Sequence, residues 1–263
     1  MIKRILVEID ETPSTDSVIK HAIALAQAHD AALTGVTVVD IDKLENVGPV
    51  PFGATYYAEE LRDDRIAKTR KEINKRSSRF AELCGNAGVP FHVEHETGSP
   101  FAVVVSKARY HDLIVVGLGS LFSYKVVDEP SHILEHLIRE GVQPILGIPK
   151  NYVPIKRVLI AYSGSLHSAE AMKQFLQFRL WPDAVLRLVC FDQKPEETSR
   201  ALDEGVTYCR AHGFSADRVH LSGNDKNILI KHAEEWHADL IVMGNSMRNV
   251  LIKHSEKALF LAQ

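Results

Sequence analysis

Two copies of one plan can be recognised along this chain, and this repeat constrains the fold more than any other feature. Three pairs of apolar segments recur in the same order: RILVEID (4–10) with RVLIAYS (157–163), HDLIVVG (111–117) with ADLIVMG (238–244), and QPILGIP (143–149) with KALFLAQ (257–263). Self-similarity over such a distance indicates that one structural unit is used twice. We therefore expect two domains of the same design.

Apolar runs alternate with helical patterns inside each copy. In the first copy we predict strands at 3–9, 33–39, 90–95, 112–116 and 144–148. In the second copy we predict helices near 167–179, 196–212 and 226–236. The strand segments are apolar at consecutive positions, which is typical of strands covered on both faces. Strand–helix alternation then predicts two doubly wound, mostly parallel, five-stranded Rossmann-like α/β domains.

The domain boundary is predicted at a short linker that is flanked by prolines, which gives domains at 1–150 and 154–263. Between the first two pairs of matched segments the second copy is 26 residues shorter. Much of this difference falls on an insertion at 41–62. Long loops in compact domains are usually lids, partner surfaces or disordered segments. We expect this insertion to fold over the crevice next to Asp10 or across the other domain.

Composition and charge exclude several classes of protein. The net charge of -3 argues against nucleic acid or an anionic membrane as the main partner, because both require a concentrated basic surface. No apolar run approaches the ~20 residues of a membrane helix. Three widely spaced cysteines predict no disulfide framework. The chain opens with a strand pattern rather than a secretion signal, so we expect a cytoplasmic protein.

A family resemblance follows from the motifs taken together. Asp10 ends the first strand and DETPSTDS leads into the next helix, while TVVD follows the second strand. DLIVVG and DLIVMG then precede the loops after the fourth strands, and PILGIP closes the first copy. In this order the motifs resemble the universal stress protein family in its tandem, two-domain form. The resemblance implies a stress-response protein whose domains pack as a pseudo-dimer through their last strands.

The resemblance also implies an adenine-nucleotide pocket in the first domain. ATP-binding members carry the pattern G-x2-G-x9-G-[S/T] after the fourth strand, where glycines let the backbone approach the phosphates. The residues that match the ligand contacts of the family are Asp10, Val38, Gly117, Ser120 and Ser131. Pro130 replaces the third glycine and has no N–H to donate. We therefore expect a degenerate pocket that holds AMP, ATP or no nucleotide. Asp10 and Ser131 have an alternative role as helix caps.

The second copy departs from the family pattern in another way. Ser163 stands where the aspartate belongs, and the segment after Gly244 is too short for a phosphate loop. The stretch SGSLHS at 163–168 has two interpretations. It is either a degenerate pyrophosphate loop, or a pair of serines that caps a helix beginning near Leu166.

We predict a binding or sensing module with no reaction of its own. No nucleophile–base pair or carboxylate pair of good specificity stands out. The pattern HILEH at 132–136 matches a zinc motif, but no catalytic partner accompanies it, so we expect no metal. The alternatives are a weak ATP-binding protein or slow ATP hydrolase, and a purely structural protein that binds a partner. A homodimer of the whole chain and an unknown protein partner remain open.

Overall fold

The computed structural model describes residues 2–40, 55–118, 136–137, 144–192, 195–222, 227–244 and 258–261. Within these ranges, ten strands form one continuous sheet and six helices pack against it. The sheet is parallel except at one junction in its centre. The predicted α/β class is confirmed.

The first half of the chain forms one half of the sheet. Its elements are β1 (Arg4–Glu8), α1 (Thr15–His29), β2 (Ala32–Val39), α2 (Thr55–Asn86), β3 (Phe91–Thr97), α3 (Pro100–Ala108), β4 (Leu113–Gly117) and β5 (Ile145–Ile148). The spatial order is β3-β2-β1-β4-β5, with every neighbouring pair parallel. The chain moves outward from β1 to β3 and then returns to the other side of β1. This reversal between β1 and β4 is the topological switch point of a doubly wound domain.

The second half repeats the same plan. Its elements are β6 (Arg157–Ala161), α4 (Leu166–Phe178), β7 (Val185–Asp192), α5 (Pro195–Ala211), β8 (Ser215–Ser222), α6 (Asn227–Glu235), β9 (Leu240–Met243) and β10 (Ala258–Leu261). The order β8-β7-β6-β9-β10 matches that of the first half, and the switch point lies between β6 and β9. The two copies seen in the sequence are therefore two copies of one fold.

The two halves are joined through their last strands, as the resemblance implies. β10 pairs with β5 in the antiparallel sense, with Phe260 opposite Leu146, and pairs in parallel with β9 on its other side. Phe260 is fully buried, and its ring lies 5.6 Å from that of Phe175 and 6.3 Å from that of Phe178. This pairing leaves no free edge on either strand, which removes a site of aggregation.

Both faces of the sheet are covered, which explains the consecutive apolar residues of its inner strands. Along β1, Ile5 and Val7 point to the face that carries α1, α2, α4 and α5, whereas Leu6 points to the face that carries α3 and α6. Each core cluster contains residues from both halves. The molecule is thus a three-layer sandwich whose hydrophobic layers continue across the central junction.

The long helix α2 begins well before Ile66, the first residue of its apolar stripe. Its first residue is Thr55, so the last part of the predicted insertion is helical, while residues 41–54 lie outside the described residues. At ~1.5 Å per residue the 32 residues of α2 span about 48 Å. The seven residues of β3 span only about 23 Å. The helix is therefore much longer than the strand beside it.

Candidate functional site

The switch point of the first half lies at the carboxyl ends of β1 and β4, the place where doubly wound sheets commonly bind ligands. Asp10 follows β1, Gly117 ends β4, and Val38 is the last residue but one of the neighbouring β2. The fold therefore brings these three predicted site residues to adjoining strand ends. Ser120 and Ser131 lie outside the described residues.

Asp10 is buried and holds the loop that leads into α1. Its side chain is 2% exposed. Oδ1 accepts hydrogen bonds from the Thr12 amide at 3.1 Å, from Thr12 Oγ1 at 2.9 Å and from Thr15 Oγ1 at 2.6 Å. A carboxylate that binds the amide two residues ahead forms an Asx turn, which shapes the chain locally. Asp10 thus keeps the loop at 11–14 folded back towards the strand ends.

The Asp10 carboxyl has a raised pKa, because burial disfavours its charged form. Hydrogen bonds from Thr15, Thr12 and Glu8 act in the opposite direction and lower this pKa. Oδ2 accepts no hydrogen bond from an amide or a hydroxyl group. Glu8 and Asp10 together form an acidic pair, two carboxyl groups that are buried at the end of β1.

Glu8 is a residue of the candidate site that the sequence analysis missed. It is the last residue of β1 and is 3% exposed. Its Oε2 accepts a hydrogen bond from the Gly117 amide at 2.9 Å. The resemblance assigns Gly117 to phosphate contact, but here the chain's own carboxyl occupies that amide. A charged residue inside the apolar run RILVEID was the available signal.

Ser14 takes up the remaining space beside Gly117. A Cβ atom placed on Gly117 would lie 2.3 Å from Ser14 Oγ and 3.6 Å from Thr12 Oγ1. The Ser14 hydroxyl hydrogen-bonds with Thr12 Oγ1 at 2.9 Å and makes no capping bond to α1. The glycine is needed because a serine side chain packs directly onto its backbone. Among the described residues, Ser14 therefore fills the space beside the Gly117 backbone.

Val38 lies at the other end of the crevice. It is buried, and in the sheet it stands opposite Glu96 of β3. It belongs to the same core face as Leu6 and Val116. The side chain is therefore part of the core, and the resemblance assigns the backbone of Val38 to the adenine contact.

In the second half, the stretch SGSLHS is a helix start. Ser165 is the N-cap of α4, and its hydroxyl accepts a hydrogen bond from the Ser168 amide at 3.3 Å. Ser163 Oγ donates to Ser165 Oγ at 3.0 Å. A Cβ atom on Gly244 would lie 2.7 Å from the carbonyl oxygen of His167. The strand end is therefore covered by the backbone of α4, and the interpretation as a helix cap is the one that the structure bears out.

The described histidines of the first half do not gather into a metal site. His95 Nδ1 lies 2.8 Å from Thr37 Oγ1, while His92 is exposed two positions before Glu94. The segment 132–135 lies outside the described residues, and His136 stacks on Phe101 at 4.2 Å. Among the residues that the structure describes, no three His, Cys, Asp or Glu side chains group as metal ligands would. Nor does this part of the chain contain a helix that could span a bilayer.

Comparison with known proteins identifies the family of the first half. The sequence profile of the universal stress protein family matches residues 1–121. The amino-terminal half of this chain belongs to the universal stress protein family. No curated protein sequence matches the chain.

Solved structures of universal stress proteins resemble the fold of the whole chain. A universal stress protein from Archaeoglobus fulgidus is 15% identical, with a TM-score of 0.68 over 99% of this chain and 96% of that one. A putative universal stress protein from Pseudomonas aeruginosa is 13% identical, with a TM-score of 0.63 over 99% of this chain and 93% of that one. At such low identity these matches show the fold alone. The chain therefore has the tandem, two-domain form of that fold.

A smaller relative was solved with AMP. A universal stress protein family protein from Arabidopsis thaliana, with AMP bound, is 16% identical and has a TM-score of 0.35, over 41% of this chain and 90% of that one.

The described residues at this site differ in chemistry from a phosphate loop. A phosphate loop offers backbone N–H donors, whereas this crevice presents two buried carboxyl groups and an amide that is already bound. Carboxyl oxygens accept hydrogen bonds from hydroxyl and amino groups. The arrangement is thus suited to a ligand that donates hydrogen bonds.

Proposed function

We propose that the protein is a stress-response binding or sensing module without a reaction of its own, with a degenerate adenine-nucleotide pocket in its first half. The pocket comprises Asp10, Val38 and Gly117, together with Glu8. The adenine class of ligand comes from the family of residues 1–121. Ser120 and Ser131 stay in the proposal as predicted phosphate contacts.

The hydrogen bond from the Gly117 amide to Glu8 carries this proposal. Transfer or hydrolysis of a phosphoryl group requires positioned donors where negative charge develops. At Gly117 the donor is already bound to the Glu8 carboxyl, and Ser14 occupies the adjacent space. We propose that a nucleoside contacts the Asp10 carboxyl and the Val38 backbone on the other side of β1, both of which are buried in this conformation. The occupied Gly117 amide supports binding without turnover.

A purely structural protein that binds a partner is the second candidate. One observation favours it: the glycines at both switch points are covered, Gly117 by Ser14 and Gly244 by the His167 carbonyl. If both crevices stay filled in solution, then the function lies on the outer surface. A partner protein and a homodimer are parts of this second proposal.

Titration calorimetry on the full chain tests the proposal, with adenosine, AMP and ATP as ligands. The variant Asp10→Asn replaces the carboxyl with an amide of the same shape, while Ser163→Ala changes the matching position of the second half. We expect Asp10→Asn to weaken the tightest ligand severalfold or more, since a mismatched hydrogen bond at a buried group costs about 1–3 kcal/mol. Ser163→Ala should leave the affinity unchanged.

Two further measurements make the outcome decisive. Phosphate release from ATP should not exceed the buffer rate, and a rate that Asp10→Asn abolishes would instead favour the slow hydrolase. Hydrogen exchange of the wild type should show ligand-dependent protection around residues 8–15, which does not depend on the variant folding. If no adenine ligand bound at millimolar concentration, the nucleotide proposal would be lost and the structural candidate favoured.

A further inference from the structure

We propose that the amino-terminal part of α2 binds the same part of α2 in a second copy of the chain, with the two helices antiparallel. The surface lies on the outside of the long helix and not at the strand ends. The inference is therefore independent of the nucleotide proposal, and it gives the homodimer of the second candidate a defined surface.

The first argument is the length of α2. Thr69 is buried, and the stretch from Thr69 to Asn86 spans about 27 Å, close to the ~23 Å of β3 beside it. The helix ends next to the start of β3, where the Val89 amide donates to the Cys84 carbonyl. Residues 55–68, the projecting segment, therefore extend past the carboxyl end of β3.

The second argument is the surface that the projecting segment exposes. Tyr56 is 72% exposed, Tyr57 74% and Leu61 43%. Tyr57 and Leu61 are four residues apart, so they lie on the same side of the helix. Exposed aromatic and aliphatic side chains that lie together are typical of a protein interface.

The third argument is the distribution of charge, which identifies the occupant. Residues 59–64 contain four acidic side chains and one basic side chain, whereas residues 65–71 contain four basic side chains and no acidic one. Two antiparallel copies place each acidic block against the basic block of the other copy, as a two-fold axis requires. A parallel pair would place like charges together. The helix is thus complementary to itself in one orientation.

The spacing of the outer residues fits two packed helices. Exposed positions recur at alternating intervals of three and four residues, which is the spacing along the seam of a coiled coil. These positions are Tyr57, Glu60, Asp64, Ala67, Lys71 and Asn74. The register that aligns the charged blocks puts Glu60 opposite Lys71 of the second copy. Asp64 then lies opposite Ala67, whose small side chain lets the helix axes approach each other.

The charges of the segment are free to form new pairs at little cost. Lys68 Nζ lies 2.5 Å from Asp64 Oδ2, but both side chains are about half exposed or more, and such pairs contribute little to stability. The interface is also small. A helix face about 27 Å long and about 10 Å wide buries less than the ~1,200 Å² of a standard complex, so we expect a reversible dimer.

Sedimentation equilibrium on the full chain tests this inference. At about 50 mM salt, the average mass of the wild type should rise from that of one chain towards that of two as the concentration increases from about 1 µM to about 1 mM. At about 0.5 M salt, association should weaken about tenfold, because salt screens exposed charges. Glu60→Lys should weaken association at low salt about tenfold or more, since it places like charges opposite each other at both ends of the pair.

A charge exchange tests the orientation and the register. Glu60→Lys combined with Lys71→Glu restores opposite charges in the antiparallel pair, and should return association to within about threefold of the wild type. Glu82→Lys is the matched control, because Glu82 is an exposed acidic residue of the same helix outside the charged blocks. It should leave association unchanged.

Three results would overturn the inference. They are a wild type that stays monomeric throughout, association that salt does not weaken, and association that Glu60→Lys leaves unchanged, which would place the contact on another surface. The salt dependence of the wild type decides the question if a variant proves unstable. None of these results bears on adenine binding, which the calorimetry measures separately.

Discussion

Asp112 and Asp239 make the same pair of hydrogen bonds at matching places in the two halves. Asp112 Oδ2 accepts from the amides of residues 3 and 4 at 2.8 and 2.9 Å. Asp239 Oδ2 accepts from the amides of residues 156 and 157 at 2.9 Å each. Each carboxylate thereby ties the segment before the fourth strand of its half to the start of the first. This explains why both copies of the DLIV motif begin with aspartate.

Replacing either aspartate should destabilise the fold by a similar amount. Asp112→Ala and Asp239→Ala each remove a charged acceptor from two amides, and we expect each to lower the free energy of unfolding by about 1–2 kcal/mol. Urea denaturation measures the change. Asp183→Ala, an exposed aspartate in the turn before β7, is the control and should change stability by less than about 0.5 kcal/mol. A large loss for one motif aspartate but not the other would contradict their equivalence.

Gly117→Ala should be destabilising because of one defined contact. The added Cβ would lie 2.3 Å from Ser14 Oγ, and overpacking of this kind costs about 1–3 kcal/mol. Combining it with Ser14→Ala should recover part of the loss, which a double-mutant cycle would detect.

Gly85→Ala is the control for that cycle. It lies in α2 with nothing within 4 Å of its added Cβ, so it should stabilise the protein by about 0.5–1 kcal/mol. If Gly117→Ala were also neutral or stabilising, Ser14 could not be filling the crevice in solution.

His21 should make the fold sensitive to acid. This histidine is buried in α1, with its ring 4.5 Å from that of Tyr152, and burial lowers the pKa of its imidazole to about 4. The unfolded chain takes up a proton near pH 6.5, which the folded chain does not do until about pH 4. Stability is therefore complete above pH 6.5 and falls as the pH decreases from 6.5 to 4, by on the order of 3 kcal/mol.

The variant His21→Phe tests this pH dependence. Denaturation curves between pH 8 and pH 4 should show a shallower loss of stability than in the wild type, because one proton fewer is taken up on unfolding. The difference between the two proteins at pH 8 measures the packing effect by itself. Identical slopes would mean that His21 does not stay neutral in the folded state.

Phe260→Ala should weaken the junction between the halves. Its ring is buried against two aromatic rings of α4, and removing a buried phenylalanine costs about 3–5 kcal/mol. Since β10 lies between β5 and β9, we also expect the two halves to unfold less cooperatively, which calorimetry would resolve as a broadened transition. Leu166 is exposed, so Leu166→Ala serves as the control and should change the unfolding temperature little. A sharp, unshifted transition for Phe260→Ala would contradict this role.

Much of the fold could be predicted because it depends on local patterns. Consecutive apolar residues in DLIVVG and in its counterpart mark strands that are covered on both faces, and those strands are β4 and β9. The start of α2 was less well predicted. The apolar stripe begins at Ile66. The earlier turns of the helix expose Tyr56 and Tyr57 and contain no buried apolar residues at helical spacing. A helix without an apolar face leaves little periodic signal.

The sequence by itself determined the repeated α/β plan and the positions of Asp10, Val38 and Gly117 at strand ends, while the pairing of the last strands was implied by the family resemblance. Only the tertiary structure decided what the crevice contains. Glu8 and Gly117 are 109 residues apart in the sequence, and their hydrogen bond exists because β1 and β4 pair side by side. The contact of Ser14 with Gly117 likewise depends on the path of a loop. Such contacts follow from strand register and side-chain direction, which no local pattern of residues encodes.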